Sequence, residues 1–146
     1  MKKAIIVYGS TTGTTEELSR IVKKEIGEAG LNVIAKNVSD AIPEELNDYE
    51  IIVLGCSTWG DGELQDDFIA FEEKLRGMSL KDKKCVVFGP GESMYPQFCR
   101  AVDILEETLK QSGAYLVKKG IKIDVSSADY RSDVQIWAKS VAMELS

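Results

Sequence analysis

The chain has 146 residues with ordinary apolar and charged fractions, enough for one domain with a core that folds by itself. Its formal net charge is −6, which excludes a nucleic-acid surface, since that needs a basic stripe to neutralise phosphates. It contains no histidine, which removes Ser-His-Asp and Cys-His nucleophiles, histidine general bases and histidine metal ligands together.

In chain order, Met1-Lys2-Lys3 imitates the basic start of a signal peptide, but the apolar stretch Ala4–Tyr8 is too short to be one. No stretch reaches membrane-spanning length, so neither a membrane nor nucleic acid is expected as a partner, and a cytoplasmic location is expected. Residues 3–8 (KAIIVY) form a continuous apolar run, as expected of a strand buried on both faces. A helix follows, with Leu18, Ile21, Val22, Ile26 and Ala29 at helical spacing and Gly30 as its end. Residues 31–36 predict a weaker strand at an edge. Residues 50–56 (EIIVLGC) predict a buried one, and Phe68, Phe71 and Leu75 the next helix. Residues 83–89 repeat the strand pattern, and Phe98, Ala101, Val102, Leu105 and Leu109 form a helical stripe after it. Residues 114–123 predict a last strand broken near Gly120, and Val134, Trp137, Val141 and Leu145 a closing helix.

Five strands alternating with four helices through short connections predict an α/β fold, a parallel sheet covered on both faces. Ligands of such sheets bind beyond the carboxyl ends of the strands, where strand order reverses. Three segments lie there: Gly9–Thr15, Ser57–Asp67 and Pro90–Tyr95. Cys56, Cys85 and Cys99 are unclustered, as expected of reduced thiols rather than a disulfide frame or a zinc site.

The first segment reads Gly-Ser-Thr-Thr-Gly-Thr-Thr between a strand and a helix, the arrangement of an anion site built from helix-start N–H groups, the helix dipole and hydroxyls. It carries no lysine, so neither a P-loop nor a GxGxxG dinucleotide loop is present. A neutral cradle suits a phosphate monoester that is held and never transferred. The plainer reading makes Thr14 or Thr15 the helix N-cap; two hydroxyls would satisfy that, and the loop has five. The second segment places Trp59 among glycines and the third places Tyr95 at the neighbouring strand end, which suggests a flat ring clasped between two aromatics. Asp61, Glu63, Asp66, Asp67 and Glu92 surround these loops, with no base after them until Lys74. The acids suit an electrostatic penalty on a ligand that gains negative charge.

The stretches IVYGSTTGTTE, LGCSTWGDGELQDDF and FGPGESMYPQFCRAVDILEETLKQSGA, following strands one, three and four, resemble the flavodoxin family, nearest its short-chain members of the sulfate-reducer type. The resemblance spans nearly the whole chain. It implies one FMN-binding domain over residues 1–146, a three-layer doubly wound sandwich whose five-stranded sheet runs in the order 2-1-3-4-5. It implies that Ser10, Thr11, Thr12, Gly13, Thr14 and Thr15 hold the FMN phosphate, with Ser57 adding a contact. Thr58, Trp59, Gly60 and Asp61 would line one side of the flavin and Tyr95 stack on the other, with Pro90, Gly91 and Glu92 at the pyrimidine edge and Cys99 near. The Gly60–Asp61 peptide would turn over on reduction, so that the semiquinone/hydroquinone couple serves as a low-potential one-electron carrier. Its implied partners are redox proteins with basic docking surfaces: reductases, oxidoreductases, hydrogenases or cytochromes. A monomer is expected, with no catalytic residue and no metal site. The sequence departs from the family pattern at Thr14, where asparagine is common, and at Glu92, where aspartate is frequent. Pro90 lacks an N–H, and the loop WGDGELQDD is two residues shorter than in the nearest relatives. Other readings are an FMN-dependent NAD(P)H/quinone reductase, for which the chain offers no segment to cover a nicotinamide, and the flavin module of a larger reductase. A receiver-type signalling domain needs an acidic pair where Gly9-Ser10 stands.

Overall fold

The computed structural model describes residues 2–145. β1 (Lys3–Gly9), β3 (Ile51–Cys56) and β6 (Lys84–Gly91) form the centre of a parallel sheet, with β2 (Asn32–Asn37) at one edge beside β1. Successive side chains of a strand point to opposite faces, and in β1 both faces are covered. Ile5 and Val7 enter one core with Phe68, Phe71, Leu105 and Leu109; Ala4 and Ile6 enter the other with Leu18, Val22, Trp137 and Val141. That double burial is why the central strands read as unbroken apolar runs while the half-exposed β2 does not.

The helices α2 (Asp66–Leu75) and α3 (Arg100–Gln111) supply the first core; α1 (Thr14–Glu28) and α4 (Tyr130–Leu145) supply the second. The fifth sheet position is filled by two short strands instead of one. β7 (Tyr115–Leu116) pairs with Lys84–Cys85 at the lower end of β6, and β8 (Ile121–Asp124) pairs with residues 88–91 at the upper end. Residues 117–120 leave the ladder between them, as the expected break near Gly120 requires. The buried Glu106 accepts from the Gly120 N–H at 2.7 Å, and the Trp137 indole donates to the Lys119 carbonyl at 3.2 Å. A Cβ at Gly120 would lie 2.5 Å from the Val87 carbonyl, so only glycine permits this approach. The parallel order is thus β2-β1-β3-β6 with β7 and β8 sharing the fifth place, which is the expected 2-1-3-4-5 with the fifth strand divided, and it reverses between β1 and β3.

Three expectations need correction. The helix stripe assigned from Phe98 starts late: Cys99 adopts φ +49°, and α3 begins at Arg100, leaving Phe98 in a turn. Pro90 and Gly91 are the last residues of β6, not part of the loop, because pairing with β8 carries the ladder as far as Gly91. Neither Thr14 nor Thr15 caps α1; its N-cap is Gly13 at φ +94°, with no side-chain bond.

Candidate functional site

The loop Ser10–Gly13 leaves β1 at the strand-order reversal and delivers the start of α1 to the top of the sheet. Gly13 turns the chain through its left-handed φ, and its N–H donates to Ser10 Oγ at 3.0 Å. The first intrahelical bond runs from the Glu17 N–H to the Gly13 carbonyl, so the N–H groups of Thr14, Thr15 and Glu16 have no partner inside the helix. Thr11 and Thr12 are exposed, Thr14 is half-buried and Thr15 is buried. All four line a depression of about 220 Å³, together with Ser57, Thr58, Pro90 and Val125. Ser10 and Gly13 do not line it; their mutual hydrogen bond sets the turn of the loop. Among the described residues no lysine or arginine lines the depression, and Arg20 and Arg131 are engaged by the first turn of α1: Arg20 meets Glu16 at 3.5 Å, and Arg131 meets Glu17 at 3.0 Å. Arg131 and the Tyr130 hydroxyl together hold the Glu17 carboxyl below its ordinary range. The cradle is therefore built of neutral donors.

This depression opens into a cleft of about 640 Å³, the two sharing Thr58, Trp59, Gly91, Glu92 and Tyr95. The cleft falls in the range of small-molecule and cofactor sites, ~300–1,000 Å³. Trp59 and Tyr95 are 43% and 60% exposed, so neither folds onto the core. Ser57 Oγ accepts from the Trp59 indole N–H at 2.8 Å, and Thr58 Oγ1 accepts from the Ala101 N–H at 2.8 Å, which ties the tryptophan loop to the start of α3.

The tryptophan loop is a hairpin: β4 (Thr58–Trp59) pairs antiparallel with β5 (Glu63–Leu64). Its turn closes by the Gly62 N–H donating to the Trp59 carbonyl at 3.1 Å, with Gly60 at φ +54° and Gly62 at φ +102°. Gly60 and Asp61 line the cleft beside Trp59. On the opposite wall Ser93 Oγ donates to Asp124 Oδ2 at 2.5 Å, and the Val125 N–H to the Gly91 carbonyl at 2.9 Å, pinning the segment that carries Glu92 and Tyr95. Cys99 lines the back of the cleft, its thiol donating to the Gly89 carbonyl at 3.4 Å and pushed up to about 12 by burial. Among the described residues there is no cluster of acids and cysteines able to hold a metal ion.

All three segments chosen from sequence thus converge, and the chemistry fits FMN: neutral donors for a phosphate at one end, two exposed aromatic faces for a planar ring at the other. Sequence reasoning missed Pro96, Gln97 and Phe98, which also line the cleft, and Val125, which reaches it only through the β6–β8 pairing. It also missed two polar side chains. Gln65 is buried at 2% exposure and donates from Nε2 to Thr11 Oγ1 at 3.1 Å; beside Asp66 and Asp67 it carries no signal in the sequence. Arg100 lies along the hairpin turn, where a Cβ on Gly62 would come within 2.7 Å of its Cδ. The acidic loops therefore do have a base beside them, from a segment distant in the chain.

The flavodoxin family model matches residues 6–137. A flavodoxin of Maridesulfovibrio salexigens is 43% identical over 97% of this chain and 98% of its own. A flavodoxin of Nitratidesulfovibrio vulgaris is 40% identical over 99% and 100%. The crystal structure of oxidised Flavodoxin 2 from Bacillus cereus superposes with a TM-score of 0.92 at 35% identity, covering 97% of this chain and 99% of that one. With its sheet order, its phosphate-type loop and these likenesses together, the chain belongs to the flavodoxin family and is an FMN-binding electron-transfer protein rather than an enzyme.

Proposed function

We propose that the loop from Ser10 to Thr15, with Ser57, holds the FMN phosphate as uncharged donors, and that Trp59 and Tyr95 enclose the ring. Thr58, Gly60, Asp61, Pro90, Gly91 and Glu92 run along the ring's edge, with Cys99 behind. When bound, FMN supplies a ring that takes up electrons one at a time. One observation supports the assignment above the others: hydroxyls after β1 and aromatics after β3 and β6 meet in one continuous cleft.

The residues present act on that cofactor in two ways. The N–H groups of Thr14, Thr15 and Glu16 bind phosphate through the helix start without neutralising it, since Arg20 and Arg131 are held by Glu16 and Glu17. The carboxylates of Asp61, Glu63 and Glu92 add a field that opposes further negative charge on the ring. One carboxylate about 10 Å away at an effective dielectric of ~20 costs an added electron roughly 1.7 kcal/mol before salt screening. Tenfold in a one-electron equilibrium is ~59 mV, so several carboxylates lower the potential by on the order of 100 mV.

The acidic rim of the cleft favours redox partners that present a basic patch, with small, salt-sensitive contacts. The protein works as a monomeric carrier in the cytoplasm, where three free, buried thiols suit a reducing compartment. Stepwise anaerobic reduction followed by visible spectroscopy tests the reading. The yellow protein is expected to pass through a long-lived blue stage before bleaching. Bleaching in one two-electron step would favour an NAD(P)H/quinone reductase, and a protein left colourless by added FMN would overturn the cofactor site.

A further inference from the structure

Gln65 stands at the N-cap position of α2, yet its side chain does not cap that helix. Its backbone is fixed at both ends, the N–H donating to the Ser57 carbonyl at 3.1 Å and the carbonyl accepting from the Phe68 N–H at 2.8 Å. The side chain runs toward β1, where Gly9 makes room for it: a Cβ there would fall 2.5 Å from Oε1. Nε2 donates to Thr11 Oγ1 and to Asp67 Oδ2, both at 3.1 Å, while Oε1 is buried with no partner among the described residues. A buried acceptor left unpaired is destabilising, so this amide is held at a cost to the fold. Its orientation follows from Asp67. An ionised carboxylate only accepts, so the NH₂ end must face Asp67 and Thr11, since the flipped amide would set oxygen against oxygen.

A threonine hydroxyl has one proton and rotates to suit its neighbours. A phosphate dianion offers only acceptors, so a hydroxyl helps to bind it only when its proton points outward. We propose that Gln65 is a positioning residue for phosphate binding. By donating to Thr11 Oγ1 it occupies the acceptor side of that hydroxyl and leaves the O–H as a donor facing the cleft that Thr11 lines. It thereby couples the hairpin–α2 junction to the phosphate loop, two segments 54 residues apart. The proposal rests on the assignment of Ser10–Thr15 as the phosphate cradle.

The test compares binding of FMN with that of riboflavin, which has the same ring and no phosphate, by flavin fluorescence quenching. In Gln65→Glu the new carboxylate accepts a hydrogen bond from the Thr11 O–H, turning it away from the phosphate, and adds charge, so FMN affinity is expected to fall about 10- to 100-fold with riboflavin affinity little changed. Gln65→Met, similar in length and without polar atoms, is expected to weaken FMN alone by about 3- to 10-fold. Equal losses for both ligands, or unchanged FMN binding in Gln65→Met, would overturn the proposal. Should Gln65→Glu show no cooperative thermal transition, a double-mutant cycle of Gln65→Met with Thr11→Val decides instead. Non-additive effects on FMN and none on riboflavin support the coupling, and additive effects refute it. Wild-type protein that binds FMN and riboflavin equally would overturn the cradle itself, and this role of Gln65 with it.

Discussion

Replacing Arg100 by glutamine is expected to lower the reduction potential of the bound flavin. Arg100 opens α3, where the positive end of the helix disfavours a cation; α1 and α2 carry Glu16, Glu17, Asp66 and Asp67 in their first turns instead. Its side chain lies on the hairpin turn, with Nη1 3.2 Å from where a Gly62 Cβ would be. Among the described residues no carboxylate comes within ion-pair distance of it. Pro96, Gln97 and Phe98 line both the cleft and the shallow depression that holds Arg100, so the guanidinium sits one residue layer behind the cleft. A unit charge about 10 Å from an added electron, at an effective dielectric of ~20, is worth roughly 1.7 kcal/mol, and salt reduces this to roughly 0.5 kcal/mol for an exposed group. At ~59 mV per tenfold, Arg100→Gln should therefore lower the midpoint potential by about 20–70 mV, most at low salt. A dye-equilibrated anaerobic titration at two ionic strengths measures it, with Arg100→Lys expected to stay near wild type. An unchanged or raised potential in Arg100→Gln at low salt would refute the electrostatic reasoning. A lysine variant that shifts as far as the glutamine one would assign the effect to packing on Gly62.

Asp124 is held from its ordinary 3.8 down to about 2 by the Ser126 hydroxyl, then by the Ser93 hydroxyl and the Ser126 N–H. A lowered folded value means stability that is present above pH 3.8 and lost as pH falls toward 2. The urea midpoint of wild type should drop more than that of Asp124→Asn between pH 5 and 2; parallel curves would exclude the linkage. In Gly55→Ala a Cβ would lie 2.2 Å from the ring of the fully buried Phe88, itself packed against Trp137, so a loss of about 1–3 kcal/mol is expected in denaturant melts. Adding Phe88→Leu should recover part of that loss. Burial pushes the thiols of Cys56, Cys85 and Cys99 up to about 12, so a thiol reagent at pH 8 should leave the native protein unlabelled and label all three sites after denaturation. Rapid labelling of any one in the native state would contradict its burial.

Much of this fold was legible in one dimension because β1, β3 and β6 are buried on both faces, which forces unbroken apolar runs that chance composition seldom imitates. The helical stripes were legible for the same reason, each facing one of the two cores. The candidate anion loop after β1 stood out because its chemistry is local: consecutive hydroxyls and a glycine turn at the junction of one strand and one helix. Elements of two or three residues were not. β4 and β5, and the 3₁₀ turn at Val38–Asp40, are too brief to show a period. Phe98 misled for another reason, since it continues the apolar spacing of α3 while Cys99 at φ +49° breaks the backbone between them.

What the sequence alone determined was therefore the order of elements and the chemical character of the three loops above the sheet, because both depend on neighbouring residues. Only the tertiary structure decided which side chains meet. It folded Gln65 under Thr11, swung Arg100 onto Gly62 and brought Val125 to the depression that the threonines line. Such contacts join segments distant in the chain through the strand-order reversal and the divided fifth strand, and no local pattern of residues encodes them.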